Sequence, residues 1–329
     1  MQVSRRASLI RLAAATAAIK AWPVRGQVPG RPIRLVVGFP PGGPNDILAR
    51  IVAPKLGELL QTNVIVDNKP GAAGSIASAE VARAPGDGHT LLLGSAGPNA
   101  ISPAVYSNLP FDPIKDLAPI SMVAQVPSVL VVRPGLAVNT VADLVALARQ
   151  GPGKLTFASS GSGTTLHLSG ELFKQQAKAF IVHIPYRGTA PATQDVAAGN
   201  VDMIFAALPS VMPLARSGKL RALAVTQGRR SRAAPELPTV AEAGAGLGLD
   251  KYEVTPWFGV FAPGTTPADV QERLSVAVRQ TVADAGVAEQ LAKQGAEALT
   301  NTPAEFRQHL QAEIARWAGV VKFANIKAD

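Results

Sequence analysis

The chain contains no cysteine among its 329 residues, which excludes disulfides, thiolate metal sites and thiol nucleophiles together. Histidine is nearly as scarce. His89, His167, His183 and His309 are the only four, they are well separated, and no H-E-x-x-H occurs, so no metal site is expected. Aromatic residues make up only 5%, leaving little on which nucleic-acid bases could stack. No apolar run approaches the roughly 18 residues needed to cross a bilayer. What remains, 47% apolar and 17% charged, is the composition of a soluble globular protein long enough for about two ordinary domains.

The formal charge of +9 invites a nucleic-acid reading that its distribution removes. Residues 1–26 carry Arg5, Arg6, Arg11, Lys20 and Arg25 and no acid; without these five cations the rest of the chain stands at +4. The remaining cations are scattered apart from Arg229, Arg230 and Arg232, so no nucleic-acid partner is expected. Segment 1–26 reads as an export signal: a basic start, an Ala/Leu/Ile-rich stretch over 7–21, and compact residues before a mature start near Gln27. The paired arginines leave the general and twin-arginine routes both open. With no cysteine to carry a lipid anchor, the exported form is expected to be free in the periplasm.

Beyond residue 27, β-branched runs and helical periodicity alternate. Residues 33–39 (IRLVVGF) read as a strand, Pro40-Pro41-Gly42-Gly43 as a turn, and 46–60 as a helix. The same strand, glycine loop and helix recur at 64–67, 69–74 and 75–84, and a strand follows at 90–94. In the second half they recur at 155–158, 159–164 and 165–176, and again at 180–184, 185–189 and 190–198. Further strands are expected at 129–133, 203–206, 221–226 and 255–262, a helix at 140–150, and two or three helices between 267 and 324. Parallel strands joined by helices predict an α/β architecture. Two regions of similar build, with chain crossings near residues 126 and 250, predict two lobes, 27–126 with 250–329 and 127–249.

Glycine loops that lead into helices expose free backbone N–H groups, and the aligned peptide dipoles place about half a positive charge there. At least four such loops occur, two in each half, so a cleft between the lobes could grip a carboxylate from both sides without any cationic side chain. Asp46 falls in the first turn after the first loop, where helix capping and ligand contact both remain open. His167, just inside a helix after another loop, is open between a structural ring and a ligand contact.

Catalytic motifs are missing. Ser159, Ser160 and Ser162 are near misses for a G-x-S-x-G elbow, 161–166 lacks the third glycine of a dinucleotide fingerprint, and no glycine loop ends in Gly-Lys-Ser/Thr. No catalytic residue, metal or cofactor is nominated, although an exported carboxylic-ester hydrolase stands as an alternative.

The run from Pro32 through Pro40-Pro41-Gly42-Gly43-Pro44-Asn45-Asp46 resembles the first motif of the Bug receptors, the extracytoplasmic solute-binding proteins of tripartite tricarboxylate transporters. Further matches are Asn68-Lys69-Pro70-Gly71-Ala72-Ala73-Gly74, Pro85-Gly86-Asp87-Gly88-His89, Ser159-Ser160-Gly161-Ser162-Gly163, Pro185-Tyr186-Arg187-Gly188-Thr189 and Trp257-Phe258-Gly259, in order along the mature chain.

This resemblance implies a two-lobed periplasmic-binding-protein fold, type II-like, with a ligand cleft between the lobes. It implies a monomer that takes up a mono-, di- or tricarboxylate or related organic anion for the permease subunits of an ion-gradient-driven transporter; a receptor feeding a sensor kinase is the other role such a cleft could serve. Matching ligand positions are Gly42, Gly43, Asp46, Ala72, Ala73 and Ser95 in one lobe. In the other they are Ser160, Gly161, Thr164, Thr165, His167, Tyr186, Gly188 and Thr189. Asn45, Ala73 and Arg187 stand where the family more often has threonine, glycine and lysine.

Overall fold

The computed structural model describes residues 31–106, 108–186 and 188–326. The export-signal segment and Arg187 lie outside the described residues. In chain order the first half runs β1 (Ile33–Val37), α1 (Pro44–Leu60), β2 (Val64–Asn68), α2 (Ser75–Ala82), β3 (Thr90–Ser95), α3 (Ser102–Val105) and β4 (Leu117–Gln125). The chain then forms β5 (Ser128–Val132), α4 (Val141–Gln150), β6 (Thr156–Ser159), α5 (Thr165–Ala177), β7 (Val182–Pro185), α6 (Thr189–Ala198), β8 (Met203–Ala207), α7 (Leu208–Arg216) and β9 (Arg221–Val225). It ends with α8 (Val240–Ala243), β10 (Trp257–Pro263), α9 (Ala268–Ala283), α10 (Ala285–Lys293), β11 (Glu297–Ala298) and α11 (Pro303–Phe323).

Two sheets result, in the orders β11-β4-β10-β3-β1-β2 and β7-β6-β8-β5-β9. They share one plan. Each has three parallel strands with the earliest in the middle, then an antiparallel strand that arrives from the other half of the chain: β10 beside β3, and β5 beside β8. The expectation of parallel strands therefore needs correcting, because both sheets are mixed. A strand that enters from the opposite lobe does so without a crossover helix, and it runs against its neighbour.

β4 was not foreseen from the sequence. Its nine residues, LAPISMVAQ, are almost wholly buried between β10 and β11, yet Pro119 interrupts the strand signal. The register against β10 slips at two places, and one slip sets Phe261 opposite Pro119, so an irregularity in the ladder accommodates the missing N–H. Helix starts follow the sequence more directly. Thr140 with Asp143, Thr239 with Glu242 and Thr302 with Glu305 form reciprocal capping boxes.

The chain passes between sheets at 126–127 and returns at 226–256. Backbone hydrogen bonds join the passages: Val126 N–H to Pro256 C=O at 2.9 Å, and Thr226 N–H to Ser128 C=O and Val254 N–H to Thr226 C=O, both at 2.8 Å. One apolar core runs through both lobes, from Val36 and Leu92 past Phe261, Phe306 and Trp317 to Phe173, Phe205 and Tyr252.

Candidate functional site

A cavity of about 790 Å³ is lined by residues that follow strands of both sheets. One lobe supplies Phe39, Pro40, Pro41, Gly43, Pro44 and Asn45 from the loop after β1, together with Ala73, Ser95 and Tyr106. The other supplies Ser160, Ser162, Gly163, Thr164, Thr165, Leu166, Thr189, Thr193, Gln194 and Ser210, and the crossings add Val126, Ser128, Trp257 and Phe258.

Four helices begin on this wall. Gly43, Thr164, Gly188 and Ala207 are the N-caps of α1, α5, α6 and α7, and residues at or beside each cap line the cavity. Among the described residues no charged side chain lines it. The groups here that can attract an anion are the exposed N–H groups and dipoles of the helix ends, each worth roughly 0.3–1 kcal/mol to an anion at the surface and more once water is excluded.

Seven of the expected ligand positions stand on the wall: Gly43, Ala73, Ser95, Ser160, Thr164, Thr165 and Thr189. The other seven do not, and the structure gives each polar group among them other work. Asp46 is buried beneath the loop, where its carboxylate accepts from Gly42 N–H at 2.9 Å, from Asn68 Nδ2 at 3.0 Å and from the Arg50 guanidinium at 2.9 Å. The Arg50 bond above all holds its pKa down at about 2. Of the two roles left open for Asp46, the geometry supports the structural one. Tyr186 donates its hydroxyl to Asp195 at 2.6 Å, and desolvation, then that acid, push its pKa up to about 12.

Ala72 lies behind Ala73, and both hold left-handed backbone, φ 45° and 52°. Such a conformation costs an alanine about 1–2 kcal/mol. Gly161 folds back on its own loop, its N–H on Ser159 Oγ and its C=O accepting the Thr164 hydroxyl. Gly188 caps α6 just before Thr189.

His167 lies one residue beyond the cavity wall. Its Nδ1 accepts Gly163 N–H at 3.0 Å, and its ring stacks on His183 with centroids 3.7 Å apart. His183 Nε2 is 2.6 Å from Ser159 Oγ. That contact looks like half of a hydrolytic dyad, but Ser159 is wholly buried and off the cavity wall, so a substrate carbonyl has no path to it.

Several lining residues were not singled out from the sequence. Thr193 follows Thr189 by one helical turn and Ser210 sits in the first turn of α7, so extending each helix-start motif by four residues would have found them. Asn45 and Thr193 are also chemically unfinished. Each is buried and lines the cavity, yet Asn45 Nδ2 and Thr193 Oγ1 have no hydrogen-bond partner.

Two lobes, each built on a mixed sheet with helix ends facing a shared cavity, define the class of periplasmic solute-binding proteins, and solved structures of such proteins match the chain. The model of the tripartite tricarboxylate transporter family receptor (TctC) matches residues 48–326, and the chain belongs to this family. The resemblance to Bug receptors read from the motifs is thereby established. Protein BugT of Bordetella pertussis is 38% identical over 328 residues, covering 99% of each chain. A Rhodopseudomonas palustris protein solved with adipate is 39% identical with TM-score 0.79, covering 92% of this chain and all of its own. MatC from the same organism, solved with bound malate, is 30% identical with TM-score 0.73, covering 91% of this chain and 100% of that one.

Proposed function

We propose that this chain is an extracytoplasmic receptor. It captures a small carboxylate-bearing organic anion between its lobes and delivers it to the membrane permease subunits of a tripartite tricarboxylate transporter driven by an ion gradient. The observation that carries this reading is the meeting of four helix N-termini on a cavity whose described lining is uncharged. Family membership supports it, and the adipate and malate in the two relatives supply the first probes.

In this reading residues 1–26 direct export and are removed, and the mature monomer works in the periplasm. Its lobes are 27–126 with 250–329, and 127–249, and they close on the ligand by a hinge motion at the crossings. The ligand is bound by Gly43, Ala73, Ser95, Ser160, Thr164, Thr165 and Thr189, with Asn45 and Thr193 completing the set. Binding and release, without bond-making, are the whole of its chemistry.

The test is a thermal-shift screen of residues 27–329 against aliphatic and aromatic carboxylates, amino acids, esters and nucleotides, followed by calorimetry. A ligand at 100 times its Kd stabilises the fold by about 2.7 kcal/mol, which raises the melting temperature by a few degrees. A stoichiometric carboxylate hit without turnover is expected, and Gly43→Asp or Thr165→Glu should abolish it. Silence across carboxylates, with a shift or turnover on esters, would overturn the reading in favour of an exported hydrolase.

A further inference from the structure

Two histidines lie beneath the loop that carries Ser160, Gly163 and Thr164 to the cavity. Their rings stack at 3.7 Å with an interplanar angle of 12°, and Phe157 stacks on His183 at 4.8 Å. Each ring also holds a different point of the loop. A backbone N–H can only donate, so the 3.0 Å contact from Gly163 fixes His167 Nδ1 as an acceptor. The proton of neutral His167 therefore sits on Nε2, which faces Glu171 Oε1 at 3.7 Å. His183 Nε2 and Ser159 Oγ lie 2.6 Å apart in a hydrogen bond, and Ser159 Oγ also accepts Gly161 N–H and meets Gly161 C=O, both at 3.1 Å.

We propose that His167 is a positioning residue for the anion-binding loop, and that the loop keeps its shape only while His167 Nδ1 carries no proton and accepts Gly163 N–H. This rests on the receptor reading given above. An added proton on His167 can go only to Nδ1, the atom that Gly163 N–H occupies, so the bond is replaced by two donors facing each other. Acid should therefore slacken the loop at Gly163 and weaken the hold on a carboxylate.

Glu171 lies on the open side of His167, itself paired with Lys174 at 2.7 Å. The electrostatic neighbours of His183 are His167, Glu171 and Lys174, and burial keeps that ring neutral. β6 contributes only Ser159 and Phe157 to the pair, and β8, which packs against α5, has no titratable residue. On α11, also packed against α5, Glu313 and Arg316 are paired with each other.

The deciding experiment is amide hydrogen exchange of the 159–165 segment without ligand, on wild type, His167→Gln and His167→Leu, from about pH 8 to about pH 5, corrected for intrinsic rates. A glutamine oxygen can still accept Gly163 N–H and cannot titrate; leucine can do neither. Wild type is expected to lose roughly five- to tenfold protection on acidification, the equivalent of one hydrogen bond. His167→Gln should stay protected across the range, and His167→Leu should be unprotected throughout. With adipate as probe, the Kd of wild type should rise by a similar factor in acid and that of His167→Gln should not.

Protection in wild type that ignores pH, or a His167→Gln profile that follows wild type, would overturn the proposal. So would a loop that slackens while adipate affinity stays constant. If adipate fails to bind at any pH, the exchange profile still decides the positioning role, and it is the choice of adipate as ligand that has failed.

Discussion

The Asp46 carboxylate accepts the backbone N–H of Gly42, four residues back, at 2.9 Å, while Arg50 Nε, from one turn ahead, donates to both of its oxygens at 2.9 and 3.0 Å. One buried acid thus fastens the first glycine loop to the helix that follows it. Asp46→Ala should lower stability by about 2 kcal/mol in urea denaturation, the scale of a hydrogen-bonded charge, and weaken ligand binding through Gly43. Its pKa is lowered from 3.8 to about 2, so its contribution is complete above about pH 3.8 and is lost as the pH falls toward about 2. The variant should lack that acid limb.

His183 predicts a second acid dependence. Burial, then the neighbouring His167, lower its pKa from 6.5 to about 3. Above pH 6.5 the ring is neutral in folded and unfolded chains alike and the stability is fully present. Below it, the unfolded chain takes a proton that the folded ring refuses. Stability should then fall by up to about 1.4 kcal/mol per pH unit until about pH 3. Urea midpoints of wild type and His183→Gln across this range should converge as the pH drops.

Gly170→Ala separates helix propensity from packing. In an open helix the change gains about 1 kcal/mol. Here the new Cβ would run into the Phe157 ring, which is wholly buried and stacked on His183. Overpacking of this kind costs about 1–3 kcal/mol, so the net effect should be a lower melting temperature. A rise would mean that Phe157 has room to move.

Asn45→Leu should divide stability from function. The Asn45 Nδ2 is buried without a partner, and such a group costs about 1–3 kcal/mol. The apolar variant should melt at the same temperature or a few degrees higher, and bind the acid found by screening at least several-fold more weakly in calorimetry. Unchanged affinity would remove Asn45 from the ligand set.

Legibility followed the range of the forces involved. β1 reads as a strand because IRLVV is buried on both faces, and α1 and α5 read as helices because Gly43 and Thr164 mark their starts. β4 escaped because Pro119 speaks against a strand, and only its irregular pairing with β10 makes room for it. The antiparallel course of β5 and β10 depends on where the chain changes lobes, which no local pattern encodes. The same division holds at the cavity. Helix-start residues were visible one loop at a time, whereas Asn45, Thr193 and Trp257 become neighbours only when the lobes are packed. Asp46 and His167 carry the right chemistry beside the right loops, and burial turned them inward.

The hydrogen bonds that join Val126 to Pro256, and Ser128 through Thr226 to Val254, tie the two crossings into one short ladder. Two loose tethers would let one lobe swing in any direction relative to the other. A hydrogen-bonded pair resists bending within its plane and yields most readily to twist, so the proposed closure of the lobes would reduce to rotation about nearly one axis. The ladder is then the short arm of a lever whose long arm ends at the cavity mouth. A single distance between one label on each lobe should report the whole motion.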